Sequence, residues 1–197
     1  MFESAVVIYL RTIYYPNGFH FPPLPFGDGL VKVELAREVA SILIIWATAE
    51  LSVKSYQRKL SVFMILFGLW DIFYYVFLKV FLNWPESFFT WDILFLIPQV
   101  WASPILAPIL VSFGLIGAGF TVLKKLEDGF VLEPGIKFWL FELTSATIIL
   151  VSFIIPGKNL LNGQMPESYN WLLFLAGLAL GLGTFYRLIR LAERQNN

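Results

Sequence analysis

Glu34, Arg37 and Glu38 stand near the start of an otherwise apolar segment, VELAREVASILIIWATAE (33–50), and are the first residues of this chain whose types and spacing could do chemistry. At about 100° per residue, Glu34, Arg37, Glu38, Ser41, Thr48 and Ser52 share one helical stripe, interrupted only by Ile45. Leu35, Val39, Ile42, Leu43, Ile44 and Trp46 fill the other faces. Glu34 and Arg37, three positions apart, can pair directly, which leaves Glu38 to find a partner elsewhere, with Lys79 the expected one. A second apolar run is interrupted by Asp71, Tyr74, Tyr75 and Lys79, and Asp92 opens a third. Asp71 is placed to accept from a tyrosine. Two chemistries follow. Glu38, Asp71 and Asp92 can bind a cation or proton while Arg37 orients an anionic group, or the whole set can be a satisfied polar network that fixes helix register.

The segments that must position these groups are those of a membrane protein. Of the 197 residues, 58% are hydrophobic and only 14% charged, against about 45–50% apolar in soluble domains. Mean hydropathy is +0.72. Aromatic residues make up 18% of the chain, with 20 Phe, a usage that suits lipid-facing helices and membrane interfaces. A formal net charge of zero gives no reason to expect nucleic acid as a partner. The absence of cysteine excludes disulfides and thiolate chemistry, and one histidine, His20, cannot supply a haem or di-iron ligand set. No cofactor or metal is expected. His20 reads as a surface imidazole in a loop at headgroup level, among Tyr14, Tyr15, Phe19, Phe21 and Phe26.

The expected fold class is all-α, a polytopic transmembrane bundle of about five spans with an N-terminal interfacial segment and a Pro-broken third span. Residues 1–29 form an interfacial helix and an aromatic Pro/Gly loop. The bundle occupies 30–191, with spans at about 30–52, 60–82, 91–123, 138–155 and 171–191, and residues 192–197 form a tail. In the third span WDILFLIP reads as a short half-helix, Pro98 as a bend, and Pro104 and Pro108 as first-turn residues of a helix ending at Lys124. Gly177, Gly181 and Gly183 give the last span a small-residue face for close helix packing.

Basic residues set the expected orientation. Lys54, Arg58 and Lys59, then Lys124, Lys125 and Lys137, then Arg187, Arg190 and Arg194 occupy alternate loops and the C-terminus, while the intervening loops hold only Lys158. The positive-inside rule then places the C-terminus in the cytoplasm and, with five spans, the N-terminus outside. Glu34, Arg37, Glu38, Asp71, Lys79 and Asp92 thereby share the outer half of the bundle, four carboxylates against two bases. Glu142 stands apart, toward the other end.

The stretches IYYPNGFHFP, VELAREVA, WDIFYYVFLK and WDILFLIP together resemble a group of uncharacterised bacterial multi-pass integral membrane proteins, over about the first two-thirds of the chain. The resemblance implies a bacterial inner-membrane location and brings no activity, cofactor or catalytic residue. Three function classes remain. The first is an accessory or assembly subunit of a larger membrane complex, whose partners are the bilayer and other membrane subunits or further copies of itself. The second is a proton- or cation-coupled transporter or channel component using the same carboxylates, and the third an intramembrane lipid-modifying enzyme. The accessory reading leads, because five short spans without an extramembrane domain suit a protein completed by partners.

Overall fold

The computed structural model describes residues 2–15, 28–96, 99–161, 164, 166 and 168–196. The expected headgroup-level loop with His20, Phe19, Phe21 and Phe26, and the expected bend at Pro98, lie outside the described residues. Six helices and one strand pair are present among the described residues: α1 (Phe2–Tyr14), α2 (Asp28–Ser52), α3 (Tyr56–Leu82), β1 (Trp91–Phe95), β2 (Trp101–Pro104), α4 (Leu106–Glu127), α5 (Ile136–Leu161) and α6 (Trp171–Asn196).

Helices α3, α4, α5 and α6 are long and apolar enough to cross a membrane. Helix α2 has 25 residues but carries Lys32, Glu34, Arg37, Glu38 and Glu50, which keep it out of that group. Local sequence explains the boundaries. Ser55 caps α3 by accepting from the Arg58 N–H, and Asn83, with φ 51°, ends it in the left-handed conformation. Gly129, at φ 82°, closes α4, where the Phe130 N–H reaches back to the Lys125 carbonyl. Asn170 caps α6 by accepting from the Leu173 N–H at 3.0 Å.

The expected half-helix is corrected. Trp91–Phe95 and Trp101–Pro104 form an antiparallel hairpin, with Trp91 opposite Pro104 and Asp92 opposite Ser103. Helix α4 begins only at Leu106, so Pro104 closes a strand while Pro108 sits in the first helical turn. Pairing gives this short run of aromatic and branched residues backbone partners that an isolated half-helix would lack. The ladder continues as Ile105 N–H donates to Thr90 and Leu106 N–H to Phe88.

The most extensive helix contacts are α3 with α4 and α5 with α6, and α2 also lies along α3. Helix α4 touches α6 only sparsely. At one end the hairpin bridges the two pairs, β2 packing on α5. At the other, Lys125 of α4 pairs with Glu193 of α6 at 2.8 Å, beside a cluster of Leu132, Ile189 and Ala192. Most basic residues flanking α3, α4, α5 and α6 gather at this second end, opposite the hairpin, while Lys79 and Lys158 lie at the hairpin end.

Candidate functional site

The polar residues of α2 and α3 separate into two groups, one paired at the hairpin end and one facing a cleft. In the first, Arg37 Nε donates to Glu34 Oε2 at 2.7 Å, the pairing expected from the i, i+3 spacing. Its other partner is Glu3 of α1, at 3.0 Å, and Glu3 also accepts from the Trp70 indole N–H of α3. One guanidinium therefore ties α1 to α2, and one carboxylate ties α1 to α3.

Glu38 is buried at 4% exposure. Its partner is not Lys79: both carboxylate oxygens accept from the Leu96 backbone N–H, at 3.0 and 3.1 Å. Lys79 is exposed and donates to the carbonyls of Pro85 and Asn83, closing the end of α3. The expectation failed because the Leu96 N–H, left over beyond the last paired residue of β1, needs an acceptor in an apolar setting. Glu38→Ala is expected to cost about 1–3 kcal/mol by orphaning that N–H. Glu38→Gln, which keeps an acceptor, should restore most of the loss. Amide hydrogen exchange at Leu96 reads the difference, with fast exchange only in the alanine variant.

Asp92 is fully enclosed between β1, α1 and α3. Arg11 of α1 lies 3.7 Å away, with its guanidinium stacked over the Trp84 ring at 3.7 Å. The Tyr75 phenol also faces this carboxylate. Burial nevertheless pushes the Asp92 carboxyl up, to about 7, with the Arg11 guanidinium, the Ile93 N–H and Tyr75 pulling the other way. Tyr74 stacks edge-on against Tyr75, centroids 4.9 Å apart, and its backbone carbonyl accepts from Ser4 of α1. Asp71 takes no tyrosine. Its Oδ2 accepts from the Ser112 hydroxyl of α4 at 2.7 Å.

Sequence reasoning expected a helix near the start but not its part in the site: Glu3 and Arg11 of α1 both pair with the predicted site residues. Ser4 and Arg11, seven residues apart and both buried, share one helical face, and that spacing was the available signal.

The cleft lies between the α3–α4 pair and the α5–α6 pair and has a volume of about 700 Å³. Its walls are apolar except for Asp71, Glu142, Ser61, Ser112, Ser145, Gln57 and the polar tips of Tyr56 and Trp101. Glu142 Oε1 is buried without a hydrogen-bond partner among the described residues, as is the Trp101 indole nitrogen. Ser145 donates to the Gly177 carbonyl of α6 at 2.8 Å. Gly177 and Gly181 lie where α5 crosses closest: a Cβ at 177 would stand 2.9 Å from Ile149, and one at 181 would stand 2.6 Å from Ser145 Oγ. Gly183 has open space within 4 Å and takes no part in this contact, unlike its expected role.

Among the described residues no three His, Cys, Asp or Glu side chains converge as a metal site would require. The class this fold defines is a helical bundle with four helices fit to cross a membrane, a polar cluster paired at one end and an apolar cleft beside it. No family model, no curated protein and no solved structure matches the chain.

Proposed function

We propose that this chain is an accessory or assembly subunit of a larger membrane complex, without a catalytic centre of its own. It crosses a bacterial inner membrane five times, through α2 to α6, with its N-terminus outside and the basic end in the cytoplasm. The observation that carries the proposal is the contrast between polar and apolar groups. Glu3, Glu34, Arg37, Glu38 and Asp92 find partners inside the chain, so the cluster reads as a lock between α1, α2, α3 and the hairpin. The apolar helices, by contrast, are buried in the chain over only 17–22% of their most apolar windows. That surface must meet lipid or other subunits, and the sparse α4–α6 contact leaves a thin structure that a partner would brace.

Native mass measurement in gentle detergent tests this. The expected result is an assembly well above 22.6 kDa that contains a second polypeptide; a lone chain, or a complex of this chain only, overturns it. A second reading, a cation-coupled transport component, has one observation in its favour: Asp71 and Glu142 face the cleft rather than the lock.

A further inference from the structure

We propose that the cleft between the two helix pairs is a binding site for a lipophilic cation, an aromatic or alkyl body bearing one positive charge, held by Asp71 and Glu142. The site stands independently of whether the chain works in a complex, because all its walls come from this chain.

Volume sets the first limit. About 700 Å³ lies within the range of small-molecule sites, about 300–1,000 Å³. Access is lateral: Trp139 and Leu182 on the cleft wall are 37% and 47% exposed, so an apolar solute can enter from the side rather than through a polar mouth.

Charge sets the second limit. The two ionisable side chains on the walls, apart from the Tyr56 phenol, are carboxylates, and no Lys, Arg or His is among the lining residues. Elsewhere among the described residues buried carboxylates have a basic or backbone N–H neighbour, even Asp92, whose Oδ2 makes no hydrogen bond. Asp71 has one serine hydroxyl, and Glu142 leaves Oε1 unpartnered among the described residues. A cation supplies what both lack. An anion would meet two acids and no base, and a purely apolar guest would leave Glu142 as it is.

The ring surfaces set the third. Phe67, Phe95, Trp101 and Phe153 follow one another across the hairpin end of the cleft, with successive centroids 6.5, 5.4 and 6.4 Å apart. At the other end Phe138 and Trp139 stand edge to face at 5.3 Å. Aromatic faces attract a weakly hydrated cation and also accept its apolar body. At 1.5 Å per residue, Asp71 lies about 22 Å along α3 and Glu142 about 9 Å along α5 from the basic end. The carboxylates are thus staggered in depth by about 13 Å, each near one of the two aromatic groups, and a drug-sized cation lying along the cleft between them is held by both.

The test is equilibrium dialysis of tetraphenylphosphonium against the purified full-length chain in detergent, with empty micelles as reference and tetraphenylborate as the anion of equal shape. Saturable binding of the cation and none of the anion is expected. Glu142→Gln and Asp71→Asn should each weaken it about 10- to 100-fold, the worth of a contact to a charged group. Asn at 71 can still accept from Ser112, so that variant keeps the α3–α4 bond. If it fails to fold, Glu142→Gln carries the test alone, since Glu142 makes no hydrogen bond to another helix among the described residues. Equal binding of cation and anion, or unchanged cation affinity in Glu142→Gln, overturns the proposal, as does stoichiometric phospholipid that the cation cannot displace. None of these results bears on the mass of the native assembly, so this site and the accessory reading fail separately.

Discussion

Arg37→Ala is expected to destabilise the chain by about 3–5 kcal/mol, the cost of removing one partner from a buried charge network. The side chains of Arg37, Glu3 and Glu34 are 21%, 16% and 9% exposed, so water can compensate little. Without the guanidinium, Glu3 and Glu34 face each other across the α1–α2 contact, and the Trp70 N–H alone neutralises neither charge. Removing all three charges together, as Arg37→Met with Glu3→Gln and Glu34→Gln, should recover most of the loss, because no buried charge is then left alone. Thermal unfolding in detergent gives the order: wild type, then the triple variant, then Arg37→Ala far below. Equal loss in the triple variant and the single one would show that the ions hold the helices by their own attraction rather than by mutual neutralisation.

Gly68→Ala combined with Gly119→Ala is the second large effect. On α3, a Cβ at Gly68 would stand 2.7 Å from the Ser112 carbonyl and 2.8 Å from Ile116. On α4, a Cβ at Gly119 would stand 2.6 Å from Ile65 and 2.7 Å from the Ser61 carbonyl. Both clashes involve backbone, which cannot rotate away, and both lie in the largest helix contact of the molecule. Overpacking costs typically about 1–3 kcal/mol per site, and here each step that parts α3 from α4 also lengthens the Asp71–Ser112 bond. Gly183→Ala is the control. With open space around it, the added methyl should be neutral or stabilise α6 by up to about 1 kcal/mol. Denaturant titration of helicity separates the two variants from each other and from the wild type.

Long apolar runs made four helices legible, because a span of about 20 residues without charge has few other folds available. The expected spans at 60–82, 138–155 and 171–191 fall inside α3, α5 and α6, and the structure extends each by residues too polar for a hydropathy reading. The Glu34–Arg37 pair was legible because spacing within one helix is itself geometry. Partners on different elements were not. Nothing in the sequence relates Asp71 to Ser112, 41 positions on, or Glu38 to the Leu96 N–H, since a backbone donor has no letter of its own. The hairpin was hidden for another reason: a run as short and apolar as WDILF has no period that distinguishes strand from helix. The cleft needed both gaps closed, because its two carboxylates come from helices that only the fold brings face to face.

The pairing of α1 also fixes an order of events during synthesis. Glu3 must wait for Arg37 and Trp70, and Arg11 for Trp84 and Asp92, all of them made later. Helix α1 therefore completes its packing only once residues 84–92 are in place, since burying Arg11 without Asp92 would strand a charge.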